Sequence, residues 1–387
     1  MQGVGQGAMT VDFALYARAL GWPPVFIGGV IGAGLLFASL ATALAGPVSD
    51  RWGRKPFLLG YQALSVLLAL VALASARRWL LAGVAALAGY GRAAAGAPAL
   101  FGAVEQAWLA GSIPRERLGR TFSANTACGF LGNAVGAFLG ALPEWWDRWL
   151  PGPLAFRPLF AIVAVGAACS FMLLLGTEDR APTRAARVAP SGGMDRKGEN
   201  RLLAGLAGLN ALNGLGIGLV GPLITWWLAT RYGVGPKAIG TAIGVILLLS
   251  GPSALLAGRL GTRFGAIRTV VAMRGLGLAL LIALPFMPTY PLAVMAYGLR
   301  TIANRGSAGQ RQALILGTIA PERRGLAAAV NSVSTQLPRS LGPIVAGVLF
   351  GAGLFTGPFL VAAMLQAGYV GLYPVLFRRH DLGGERQ

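Results

Sequence analysis

The chain has 387 residues, 55% of them hydrophobic and only 12% charged, with a mean hydropathy of +0.64. Soluble domains carry roughly 25% charged residues, so this composition excludes a disordered chain, a disulfide scaffold and an ordinary soluble enzyme. A net charge of +20 would fit nucleic acid in a soluble protein. In so apolar a chain the basic residues read instead as topology markers in a lipid bilayer, and no nucleic-acid partner is expected.

A helix that crosses the hydrocarbon needs about 20 mostly apolar residues. In chain order such runs cover 1–20, 24–47, 57–76, 79–109, 121–142, 156–176, 202–231, 236–259, 269–288, 290–318, 326–351 and 354–377. They predict an all-α membrane protein with twelve transmembrane helices. The first run, MQGVGQGAMTVDFALYARAL, is short and rich in Gly and Gln. It lacks the basic n-region and apolar h-region of a signal peptide.

Lys and Arg fall about three times as often on one set of loops as on the other, with Arg115, Arg117, Arg120, Arg323, Arg324, Arg378 and Arg379 on the richer side. The positive-inside rule then places both termini in the cytoplasm, in a multi-pass protein of the inner (cytoplasmic) membrane. Trp145, Trp146 and Trp149 cluster in one predicted outer loop, where interfacial anchors belong.

Residues 177–200, TEDRAPTRAARVAPSGGMDRKGEN, form the one long polar stretch. They read as a cytoplasmic linker between six-helix bundles at 1–176 and 201–377, followed by a tail at 378–387. The bundles repeat weakly. Residues 31–53 align with 243–265, matching Gly32 to Gly244, Gly46 to Gly258, Arg51 to Arg263 and Gly53 to Gly265. AGYGR matches MAYGLR, placing Arg92 beside Arg300, and 132–141 aligns with 338–347. Duplication on this scale marks secondary transporters. By this register the mate of span seven would begin before Met1, so a mis-assigned start is the expected reason for the short first helix.

GPVSDRWGRK (46–55) between spans two and three resembles the loop signature of the major facilitator superfamily, G-x-x-x-D-R/K-x-G-R/K-R/K, in Gly46, Asp50, Arg51, Gly53, Arg54 and Lys55. The resemblance covers the whole chain through the twelve spans and the linker. It implies a gate in which this loop helps hold the cytoplasmic side closed, with Glu105 joining its charge network. The second-half copy, GRLGTRFG, carries Thr262 in place of the aspartate. YGRAAAG (90–96) resembles the family's fourth-helix arginine motif. GNAVGAFLGA resembles the fifth-helix antiporter motif in Gly132, Gly136 and Gly140, with Ala137 and Ala141 as departures.

Ionisable groups inside the bilayer cost at least ~2.5–3.5 kcal/mol and mark function by default. Here they are Asp12, Arg92, Glu105, Arg274, Arg300, Arg305, Arg311 and Arg339. Arg274 and Arg311 are expected to snorkel to the cytoplasmic surface. By the resemblance, spans one, four, seven and ten line a central cavity. Arg92, Arg300 and Asn304 are then candidates for an anionic substrate group, and Trp226 and Trp227 for stacking. Asp12, about 12 Å from the outer end of its helix, is the candidate proton site, since a buried carboxyl can take up and release a proton.

Cys128 and Cys169 read as buried small hydrophobes, and His380 sits alone in the tail. With no cluster at catalytic or metal spacing, neither an enzyme nor a cofactor nor a metal is expected. The expected function is alternating-access transport of small organic molecules, by proton-coupled efflux (antiport), in a monomer. The alternative is proton-coupled uptake of an organic anion. A non-transporting membrane sensor of the same fold is the reading from another class.

Overall fold

The computed structural model describes residues 2–92, 104–105, 108, 115–177, 196–309, 311 and 324–377. Its helices are α1 (Gln2–Ala19), α2 (Pro24–Trp52), α3 (Arg54–Ala74), α4 (Arg78–Ala88), α5 (Arg115–Leu139), the short α6 (Leu142–Trp146) and α7 (Arg157–Leu175). The second half of the chain holds α8 (Arg196–Val220), which begins within the expected linker, then α9 (Ile224–Tyr232), α10 (Pro236–Phe264), α11 (Ala266–Ala283), α12 (Tyr290–Gly306), α13 (Arg324–Gly351) and α14 (Gly357–Phe377). Every one of the twelve predicted spans carries helix.

Two predicted spans are interrupted. Span seven breaks into α8 and α9 at a turn over 221–223. Pro222 explains the break, because its ring removes an amide donor and clashes with the carbonyl one turn earlier. Span four ends its first helix at Ala88. Gly89 takes the left-handed conformation at φ +69°, and Gly91 also has positive φ; the rest of that span lies mostly outside the described residues.

The α2–α3 and α10–α11 corners share one shape. Gly53 has φ 90°, ψ 141° and its sequence mate Gly265 has φ 87°, ψ 143°. Side chains rarely adopt that region, so both corners require glycine. The repeat seen in sequence is therefore also a repeat of backbone geometry.

Contacts group the chain into two compact units: residues 1–185 with 221–248, and residues 186–220 with 249–387. In the first unit α1 packs on α5 and α7, and α3 on α7. In the second, α8 packs on α13 and α14, and α11 on α12 and α14. Leu202, Leu206, Leu209, Val270, Tyr369 and Tyr373 form a core cluster there. Large apolar side chains such as Leu44, Leu67, Met172 and Val375 stay exposed, as lipid-facing residues must.

The tightest packing in each unit uses glycine. Where α1 crosses α5, a β-carbon on Gly7 would overlap the Asn133 carbonyl, and one on Gly136 would overlap Val4 O. Where α8 crosses α13, Gly214 meets Thr335 O in the same way, Gly218 meets Arg339 O, and Gly342 meets Gly218. Small residues let backbones approach and gain dispersion contacts that lipid cannot supply. On the α5 side this is the stretch with the antiporter-like glycine pattern. An amide ladder braces the α8–α13 crossing: Asn210 Nδ2 donates to Asn331 Oδ1 at 2.9 Å and to Ser334 Oγ at 3.2 Å.

Candidate functional site

Asp12 is 1% exposed, and neither carboxylate oxygen has a hydrogen-bond partner among the described residues. Its Oδ2 lies 2.5 Å from where a β-carbon on Gly140 would stand. The glycine that ends the α5 pattern thus makes the room the carboxyl occupies. On the other side of the same turn, a β-carbon on Gly240 of α10 would meet Ala137 O at 2.7 Å and Ala141 N at 3.0 Å. Close by, Glu144 Oε2 accepts the backbone N–H of Lys237 at 2.9 Å. The last turn of α5 is held between α1 and α10.

Arg92 is also 1% exposed. It folds back over Gly89, whose β-carbon would stand 2.8 Å from Arg92 Cδ and Nε. Tyr61 is the ionisable side chain it feels, yet among the described residues none of its three nitrogens has an acceptor in hydrogen-bond geometry. Beside it lies a cavity of about 40 Å³, lined by Gln6 and Met9 of α1, Tyr61 and Ser65 of α3, Gly89 to Gly91, and Val163 and Ala167 of α7. That volume holds about two waters. Asp12 and Arg92 are not paired.

In the second unit Arg274 and Arg300 are 4% and 5% exposed. Arg274 Nη1 donates to Asn213 Oδ1 at 3.1 Å, and its Cζ lies 5.4 Å from the Tyr369 ring centre. Arg311 Nη1 donates to the Tyr369 hydroxyl at 3.1 Å. Arg339 Nη1 donates to Gln336 Oε1 at 2.7 Å. Arg274 feels the positive charges of Arg311 and Arg300, and Arg339 those of Arg305 and Arg311. The expected snorkelling of Arg274 is therefore corrected. Asn213 and Tyr369 hold it inside the bundle, because two polar partners there offset the trip to the surface.

The remaining predicted residues fall as follows. Arg300 and Asn304 share α12, and a β-carbon on Gly277 would stand 2.7 Å from Asn304 Oδ1. Trp226 and Trp227 are buried on α9, with Trp227 edge-on to Tyr232 at 5.8 Å; α9 packs on α1. Gly46, Asp50 and Arg51 occupy the last turns of α2, and the side chains of the latter two lie outside the described residues. Arg54 and Lys55 open α3, and Glu105 is half-buried in a helical stretch. Lys55 Nζ donates to Leu175 O at 3.2 Å and to Thr177 O, tying the loop to the end of α7.

Sequence reasoning passed over Asn213, Gln336, Tyr369 and Glu144. One signal was available for Arg274. In the repeat register that joins Gly53 to Gly265 it is the mate of Gln62, itself buried, so a polar interior position recurs in both halves.

The sequence profile of the Major Facilitator Superfamily matches residues 1–202 and 206–385. The chain belongs to the major facilitator superfamily. Solved structures similar to this facilitator over nearly its whole length include a bacterial homolog of the human lysosomal transporter Spinster, inward-facing and occupied. It is 12% identical, with a TM-score of 0.76 over 97% of this chain and 94% of that one. The nucleoside transporter NupG is 14% identical, with a TM-score of 0.70 over 97% and 96%. The D-xylose-proton symporter is 13% identical, with a TM-score of 0.70 over 96% and 95%. At these identities the likeness establishes the fold, twelve helices in two pseudo-symmetric bundles. No relative of curated function matches the sequence. The facilitator is a multi-pass membrane protein of a transporter family.

Proposed function

We propose that this facilitator is a secondary transporter that exports small organic molecules in exchange for protons, by alternating access between the six-helix halves 1–176 and 201–377. One observation carries the proton step: the Asp12 carboxyl is buried, with no partner among the described residues, at the end of the α1–α5 glycine crossing. The last turn of a helix carries negative partial charge on its free carbonyls. A neutral Asp12 fits against that turn, and an ionised one opposes it. Proton exchange at Asp12 therefore loosens or seats the α5 turn that α10 also grips.

In this reading the loop of Gly46, Asp50, Arg51, Gly53, Arg54 and Lys55, with Glu105, is the cytoplasmic gate. Arg92, Arg300, Asn304, Trp226 and Trp227 contact substrate. The protein works as a monomer in the inner membrane, with cytoplasmic termini and linker.

The test uses proteoliposomes that enclose a pH-sensitive dye, challenged with lipophilic cations, organic anions and neutral sugars. Antiport moves protons opposite to the added substrate, and Asp12→Asn stops that movement. No proton movement with any class overturns the reading. A second reading, proton-coupled uptake of an organic anion, is favoured by the buried arginines of the second unit, and proton movement in the direction of an added anion decides for it.

A further inference from the structure

Among the described residues of the second unit, Glu199 is the sole acid. It stands in the first turn of α8, fourteen positions before Asn213, about 21 Å along the helix axis. The guanidinium that Asn213 holds is thus far from the one carboxylate in reach of its own elements. Around it are other cations. Arg274 feels Arg311 and Arg300, and Tyr369 brings two guanidiniums together, one over its ring and one on its hydroxyl.

Like charges gathered in a low-dielectric interior repel strongly and need a counter-ion. The donors also remain incompletely used. Arg274 Nε, Arg300 Nε and Arg311 Nε have no acceptor among the described residues. Each guanidinium is a planar fork that fits two oxygens of a carboxylate or phosphate. Among the described residues, Arg274 and Arg300, buried this deeply between α11, α12 and α14, bring donors in surplus over acceptors.

We infer that Arg274, Arg300 and Arg311 form a binding site inside the second unit for a doubly charged oxyanion head group, a phosphate or a dicarboxylate. Asn213 and Tyr369 are positioning residues that fix two of the three guanidiniums. The inference rests on the transport reading, whose substrate class it names. It places the recognition on α11 and on Arg311 beyond α12, two places the sequence assigned to surface snorkelling.

The experiment uses the full chain in lipid nanodiscs and reads thermal unfolding against inorganic phosphate, succinate, acetate and chloride at matched ionic strength. Phosphate or succinate is expected to raise the midpoint saturably, and acetate and chloride are not. A stronger response to phosphate assigns a phosphoryl head group, and a stronger response to succinate a dicarboxylate. Arg274→Gln and Arg311→Gln are expected to weaken the apparent affinity at least ten-fold, and Arg148→Gln on the outer loop to leave it unchanged. Tyr369→Phe keeps the ring and loses the hydroxyl, so it weakens binding several-fold with little change in the unliganded midpoint; it decides the matter if the arginine variants fail to fold.

No saturable response to either dianion overturns the inference, as does a response that survives Arg311→Gln and Tyr369→Phe intact. Proton movement driven by cations or sugars in proteoliposomes, without any dianion response, leaves transport standing and removes this site alone.

Discussion

The Asp12 carboxyl occupies the space that a side chain at Gly140 would fill, with Oδ2 at 2.5 Å from the missing β-carbon. A titratable group and a helix end are thereby made one packing unit. Asp12→Asn keeps the shape and removes the proton. It is expected to fold normally and to lose at least ten-fold in pH-gradient-driven exchange in proteoliposomes, while exchange without a gradient persists. Gly140→Ala puts a β-carbon against the Asp12 carboxyl and also at 3.0 Å from Ala137 O and 3.2 Å from Val11 Cβ, so it is expected to displace the carboxyl and shift the pH profile of transport at some cost in stability. Gradient-driven exchange at the normal rate in the Asp12→Asn variant would remove Asp12 from the coupling step.

The glycine crossing makes a second, sharper prediction. A β-carbon at Gly136 overlaps Val4 O and stands 2.8 Å from Ala8 N, and backbone cannot swing aside as a side chain can. Gly136→Ala should cost about 1–3 kcal/mol, the usual toll of overpacking. Gly129, on the same helix, has nothing within 4 Å. Gly129→Ala should be neutral or stabilising by up to about 1 kcal/mol through helix propensity. Thermal unfolding of the pair in detergent checks this, and equal loss in both would mean the close approach is not maintained in solution.

How much of this was legible in the sequence depends on what each helix faces. Helices long and apolar enough to cross a membrane include 24–42, 54–74 and 357–376. Helices α1, α5, α12 and α13 fall outside that set. They carry Asp12, Asn133, Arg300 and Arg339, whose polar side chains lower the hydropathy of their helices, and α12 has only 17 residues, so run length and breaks mark them instead. Cys128 and Cys169 show the reverse error. Their apolar runs read as core, yet Cys128 is exposed and Cys169 half-buried, because apolar neighbours in a membrane helix face lipid as readily as protein. The arginine cluster was invisible because its organiser, Tyr369, lies in an ordinary apolar run far away in sequence.

The α2–α3 loop separates geometry from charge. Gly53 holds φ 90°, so Gly53→Ala should cost on the order of 1–3 kcal/mol of backbone strain and lower yield and melting temperature together. Lys55 acts differently, donating to Leu175 O and Thr177 O at the end of α7. A cation there favours the helix end by about 0.3–1 kcal/mol. Lys55→Met should leave the fold intact and hasten amide exchange over residues 174–177. Unchanged exchange in that variant would show that the contact contributes nothing to the helix end.

The first turn of α10 carries the last prediction. Its first turn presents amides that no helix carbonyl can satisfy, and Glu144 Oε2 accepts one of them, from Lys237, at 2.9 Å. The same oxygen lies 2.5 Å from where a β-carbon on Gly235 would stand, so glycine is what lets α6 come this close. Glu144 acts as a cap supplied from a different helix, and losing a cap costs about 0.5–2 kcal/mol. Glu144→Ala should therefore speed amide exchange at residues 237–240 by roughly two- to thirty-fold, since 1.4 kcal/mol is a factor of ten. Glu144→Gln keeps an oxygen acceptor and should retain most of the protection. If α10 closes against α5 in each transport cycle, the alanine variant opens that seam more readily and its exchange becomes leakier to protons. Protection in Glu144→Ala equal to the wild type would show that the amide finds water instead and that the seam does not depend on this cap.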